Sequence, residues 1–170
     1  MIKSIITNKI RTNIQNQVKT AAVIAFSDAR KIVLTFEIAD YPLIQNLVSL
    51  LENEGKECRL VVFSEAKEKT FPEIRGFIFS KRDLDIWSVP KLEIETRFLD
   101  EISDADMLLD LTVHNYLPLS YLISKASVKL KAGIKKEGFD LYDFMLEAPK
   151  NVDFRFLSEQ IMSYLRKLKS

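Results

Sequence analysis

Asp106-Met107-Leu108-Leu109-Asp110-Leu111-Thr112, running on through Val113-His114-Asn115-Tyr116-Leu117-Pro118-Leu119, is an apolar run that stops in a cluster of small polar groups just before a helix opens. A buried parallel strand delivers side chains to its carboxyl edge in this way, and α/β sheets bind ligands at that edge. The stretch predicts a strand over 107–111, a helix over 118–126 and, between them, the place to look for a site.

Outward from this stretch, strands and helices alternate. Residues 31–36 are a short β-branched apolar run, followed by Asp40 as a helix cap with Pro42 in the first turn. Leu43, Leu47, Leu50 and Leu51, with Ile44 and Val48, keep helical periodicity until Glu54-Gly55 stops it, and a second strand follows over 59–63. Two buried strands joined by one such helix pair in parallel, so a βαβ unit is expected. Residues 64–76 read as a charged loop, 77–79 as a weaker strand, 94–102 as helix, 128–132 and 144–146 as short strands, and 154–168 as a closing amphipathic helix; 85–90, around Trp87, has no clear pattern. The result is a doubly wound, mainly parallel α/β sheet, Rossmann-like or flavodoxin-like, with the last two strands free to follow a different rule.

A chain of 170 residues with 47% apolar content fits one domain with one sizeable core. Its organisation is expected to be an amino-terminal helical arm over 1–27 and a single α/β domain over 28–170. With 25 basic and 24 acidic residues there is no global field to attract nucleic acid or anionic lipid. The charge is uneven, however: residues 1–31 hold six Lys/Arg against Asp28 alone, the middle is acidic and 121–170 is basic, so a basic face would form if the two ends met. One cysteine, Cys58, excludes an internal disulfide and fits a reducing compartment. No apolar run approaches the roughly 20 residues of a membrane span. The expectation is a cytoplasmic protein.

In the arm, Ile2, Ile6, Ile10, Ile14 and Val18 recur at every fourth position, with Lys3, Lys9, Arg11 and Lys19 between them. This would suit a helix on a membrane surface, but the polar face is mostly Asn, Gln and Thr, which suits a helix packed on its own domain or on a second copy.

The segment Asp106 to Thr112, with Pro118-Leu119-Ser120-Tyr121-Leu122, Lys125-Ala126, Lys131-Ala132-Gly133 and Tyr142-Asp143-Phe144-Met145-Leu146, resembles an uncharacterised family of bacterial (Bacteroidota) proteins of about this length, classed as a domain of unknown function. That resemblance implies one domain and no mechanism. A more distant likeness, carried by Asp110-Leu111, Ala126 and Gly133, is to the amino-terminal half of heptosyltransferase-type glycosyltransferases. It implies a shared half-fold without the second domain that holds a sugar nucleotide in those enzymes.

Catalytic signatures are missing. Four glycines, at 55, 76, 133 and 138, form no phosphate cradle, and one His with one Cys cannot build a His/Cys metal site. No cofactor is expected. A nucleophilic triad would need His114 as base, Asp110 to orient it and Ser120 or Ser64 to attack, with neither serine in Gly-x-Ser-x-Gly. His114 reads either as an acid or base at the strand's end or as a loop residue beside a helix that Asn115 caps. Tyr142-Asp143 would add an aromatic wall or close the sheet edge. Two function classes follow: a non-catalytic binding or self-associating module, the latter a homo-oligomer, and a small enzyme or sensor for a nucleotide-like or phosphosugar ligand. The ligand would meet Asp110, Thr112, His114, Asn115 and Glu37 at the carboxyl edge.

Overall fold

Each apolar run becomes a strand whose neighbours run the same way. The structure, a computed structural model, describes residues 1–18, 24–66, 70–147 and 149–168. In chain order the elements are α1 (Ile2–Asn16), β1 (Lys31–Thr35), α2 (Tyr41–Asn53), β2 (Glu57–Ser64), β3 (Gly76–Ser80), α3 (Leu92–Ile102), β4 (Met107–Asp110), α4 (Leu117–Lys125), β5 (Leu130–Ile134), β6 (Phe144–Leu146) and α5 (Phe154–Lys167). The strands form one sheet in the order β3-β2-β1-β4-β5-β6, and every neighbouring pair is parallel. The winding reverses between β1 and β4, which places a crevice beyond their carboxyl ends.

The sheet is buried on both faces, as its unbroken apolar strands require. Ile32, Leu34, Met107 and Leu109 pack with α2 and α5 on one face; Val33, Val61 and Leu108 pack with α1, α3 and α4 on the other. Val33, Leu34, Val61, Val62, Leu108 and Leu109, all expected in the core, are fully buried.

Several expectations are corrected. The last two strands obey the same rule as the rest: β6 pairs parallel to β5, although among the described residues neither the β2–β3 nor the β5–β6 connection contains a helix. The two basic ends do not meet, because α1 and α5 lie on opposite faces of the sheet. Asp40 occupies the cap position of α2 but makes no side-chain cap bond. The segment around Trp87 is a tight turn in which the Asp85 carboxylate accepts the amides of Trp87 at 2.8 Å and Val89 at 3.0 Å.

The arm's helix packs along α4 of its own domain. Ile6 and Ile10 are buried, whereas Ile2 is 47% exposed and Val18, beyond the helix end, 89%. A spacing of four overshoots a helical turn by about 40° each time, so the ends of the stripe rotate off the contact. Polar groups extend the seam: Asn13 donates to Ser124 Oγ at 2.9 Å, and Gln17 donates to the carbonyls of Ser124 and Ala126 at 2.7 and 2.8 Å. The arm residues from 19 to 23 lie outside the described ones.

Candidate functional site

At the crevice, strand register brings Thr35, Asp110 and Gly133 side by side. Side chains alternate along a strand, so Asp110 points to the same face as Leu108, into the α1 side of the core. Its carboxylate is 1% exposed and must find donors there. Oδ1 accepts from Thr35 Oγ1 at 2.7 Å, from the Thr112 amide at 2.9 Å and from Thr112 Oγ1 at 2.6 Å. Oδ2 accepts from the Tyr142 hydroxyl and lies 3.7 Å from the Lys136 ammonium. That ammonium is buried too, and donates to the Thr112 carbonyl at 2.7 Å, Thr112 Oγ1 at 3.2 Å and the His114 carbonyl at 3.3 Å.

Gly133 is what lets Tyr142 reach the carboxylate. A Cβ there would stand 2.8 Å from the phenol ring. Burial first, then the charge and hydrogen bond of Asp110, push the Tyr142 hydroxyl far above its ordinary value, so it stays a neutral donor. The five side chains thus satisfy one another and fill the edge where the strand order reverses. No substrate atom has access to Asp110 in this arrangement.

Glu37, just beyond β1, holds the next loop. One oxygen, Oε1, accepts the amides of Val113 at 3.2 Å and His114 at 3.0 Å and meets His114 Nδ1 at 2.6 Å. A carboxylate donates nothing, so Nδ1 carries the proton and Nε2 is the remaining ring nitrogen of a side chain that is 71% exposed. Nearby, Asp40 is raised above its ordinary value by burial and by Glu37 and Asp153, against an opposing pull from His114. His114 therefore sits with Glu37 and not with Asp110, which removes the triad that the sequence allowed. Asn115 does not cap α4 either: the cap position is Tyr116, and Asn115 Oδ1 instead accepts from Ser120 Oγ at 3.2 Å. Pro118 in the first turn lowers the number of amides in need of a cap.

Beside this closed edge, on the α1 face, lies an open cleft of about 660 Å³. Its walls are α1 (Ile2, Ile6, Thr7), the ends of β2 and of the turn after β3 (Phe63, Leu84), the loop into α4 (Asn115, Tyr116, Leu117) and Phe139. Tyr116 stands edge-on to Phe63 with ring centroids 5.7 Å apart. Burial, with Glu37, Glu65 and Asp40 adding to it, pushes the Tyr116 hydroxyl up to about 12.

The five residues expected at the edge are thus divided among three places. Asp110 and Thr112 belong to the buried network, half-buried Glu37 and exposed His114 to a separate pair, and Asn115 to the cleft. Thr35 and Lys136 were missed. A polar residue ending an apolar strand beside β4 is a signal for Thr35; Lys136 has none, since its partners lie on a loop more than 20 residues away in the chain.

At the opposite edge the candidate side chains are committed to structure. Lys56 is buried and donates to the carbonyls of Phe26 at 2.7 Å, Ser27 at 3.2 Å and Ala29 at 2.7 Å, which pins the chain entering β1. Burial pushes the Cys58 thiol up to about 11, away from nucleophilic character. Among the described residues no group of three His, Cys, Asp or Glu is placed to hold a metal, and no helix is long and apolar enough to cross a membrane.

No curated protein and no solved structure matches the chain. Residues 2–168, nearly its whole length, match a family of unknown function, DUF6913, and it is to this family that the chain belongs.

Proposed function

We propose that the protein is a non-catalytic binding module that takes its ligand in the cleft between α1 and the carboxyl-edge loops. One observation carries this reading: Asp110, the only carboxylate in β1 or β4, is saturated by Thr35, Thr112, Tyr142 and Lys136, while an open cleft with apolar walls lies beside it. A ligand site with apolar walls and a few polar groups at a switch point suits binding. The test is a thermal-shift screen of nucleotides, sugar phosphates and small apolar compounds, with each hit followed by NMR for chemical change. Hits returned unchanged, with shifts centred on Thr7, Tyr116 and Leu117, support it. Conversion of a hit that is lost in Asp110→Asn would overturn it. Self-association is the other form of the same reading, and sedimentation of the chain over a range of concentrations measures it directly.

A second reading is a sensor or small enzyme for a nucleotide-like or phosphosugar ligand. It is favoured by the His114 ring, open to solvent and oriented by Glu37 beside the switch point. Loss of sugar-phosphate binding in His114→Ala, with an unchanged melting temperature, supports this reading.

A further inference from the structure

The charge around the cleft restricts what it holds. Its lining carries three cations, Lys3, Arg11 and Lys81, and three acids, Glu65, Asp85 and Glu137. Lys81 and Glu65 face each other at 3.8 Å, the Arg11 guanidinium donates to the Gly138 carbonyl at 3.4 Å, and Asp85 is taken up by the turn around Trp87. Arg11 and Asp85 keep their charges in these contacts to neutral groups, so Lys3 and Arg11 stand against Asp85 and Glu137 and the lining is balanced. A polyanion would gain from the cations and lose to the acids, and would also lack the glycine-rich amides that cradle phosphates. The interior, by contrast, is aliphatic on the α1 side (Ile2, Ile6) and aromatic on the other (Phe63, Tyr116, Phe139). Ring edges and faces of this kind favour a flat apolar body, and the volume is that of a small-molecule site.

Resting on the proposed binding role of the cleft, we infer that its ligand is a compact, ring-bearing small molecule without net charge. Affinity comes from burial of the ring against Ile2, Leu84 and Tyr116, whose side chains are still partly open, and the polar groups Thr7, Ser88 and Asn115 orient it. Nucleoside polyphosphates and sugar phosphates are excluded by the balanced rim.

Two fluorescent probes with the same ring system separate ligand class from location. Phenylnaphthylamine is neutral, and anilinonaphthalene sulfonate adds one negative charge. The full chain is expected to bind the neutral probe with one-to-one stoichiometry, the sulfonate within about threefold of it, and both with little dependence on salt. Thr7→Trp, at a half-buried position of α1, fills the cleft and is expected to weaken both probes at least about tenfold, a loss of about 1.4 kcal/mol. Leu117→Trp does the same from α4 and guards against a folding defect in the first variant, each being checked by near-ultraviolet circular dichroism. Preference for the sulfonate of about tenfold or more, falling with salt, would overturn the uncharged class while leaving the cleft as the site. Probe binding unchanged in both tryptophan variants, or no binding of the neutral probe, would overturn the ligand assignment; loss in Leu47→Trp instead would move binding to the α2–α5 groove and remove the cleft reading as well.

Discussion

A single methyl group at Gly133 would be felt by the whole polar network, because the Cβ it adds meets the ring of a fully enclosed tyrosine. Gly133→Ala is expected to destabilise the protein by about 1 to 3 kcal/mol, the usual range for overpacking, measured as a lower urea midpoint at constant slope. Tyr142→Phe keeps the ring and removes only the donor to Asp110 Oδ2. A buried carboxylate oxygen left short of a donor costs about 1 to 3 kcal/mol. The two effects should fail to add, since both act on the same ring. The hydroxyl also has a pH signature. Its folded-state value is raised, so the unfolded chain loses that proton first, and its stabilisation is complete below about pH 10, where free tyrosine titrates, and declines above it. Tyr142→Phe should flatten that part of the alkaline limb of a stability–pH curve; an unchanged limb would place the hydroxyl in solvent. At this scale the sequence was half legible. A carboxylate in an apolar strand announces that donors must be near, which is why Asp110 and Thr112 stand out. The identity of the donors is set by contacts 24 to 75 residues away, to Lys136 and Thr35, and no local pattern encodes those.

Helices and strands were legible because each is amphipathic or apolar at its own period; what escaped was capping and the connections. Asp40 and Asn115 have the residue type of caps without the bonds, and the Asn115 side chain accepts from Ser120 instead. Asp106, just before β4, binds the starts of three strands together. It accepts the amides of Arg30 at 2.7 Å and Lys31 at 3.2 Å where β1 begins, and the Lys129 ammonium at 2.8 Å just before β5. Burial alone would raise its carboxyl, but these hydrogen bonds outweigh it and hold the group at about 2. The folded-state value is depressed, so its stabilisation is present above the ordinary value of 3.8 and is lost as pH falls toward 2. Asp106→Asn should therefore make stability less steep between those two pH values, as read from melting temperatures across an acid series. The α1 element carries a second expectation. Its apolar side covers α4 and the sheet, so a chain lacking residues 1–16 should melt lower and become less soluble as Ile6 and Ile10 are removed from their partners. Unchanged melting with lost liposome binding would instead put the helix on a membrane.

Across the whole molecule, the sheet order implies a gradient of stability. β1 and β4 lie in the middle, hydrogen-bonded on both sides and covered on both faces, while β6 is a three-residue strand at an edge with half-buried side chains. The parallel arrangement up to the reversal was readable from the apolar runs. The parallel pairing of β6 was not, because the segment before it contains no crossover helix and strand direction there is fixed by tertiary contacts such as the Asp143 carboxylate accepting the Lys131 amide at 2.9 Å. α1 makes its main contact along α4, has no side-chain cap bond at its start, and carries no acid in its first turn or base in its last. A helix without that complement to its dipole gains less from its ends and opens more easily. Hydrogen exchange should therefore show β1 and β4 amides exchanging only with global unfolding, and α1 amides exchanging earlier, through an opening that removes one wall of the cleft. A ligand seated between α1 and the loops stabilises the closed form by mass action, about 2.7 kcal/mol at 100 times its dissociation constant. Saturation with phenylnaphthylamine should thus slow exchange in α1 and at Tyr116 and Leu117 more than in β3 or β6. Protection distributed evenly over the sheet, with α1 unaffected, would mean that α1 is not part of the binding site and that its role ends with covering the core.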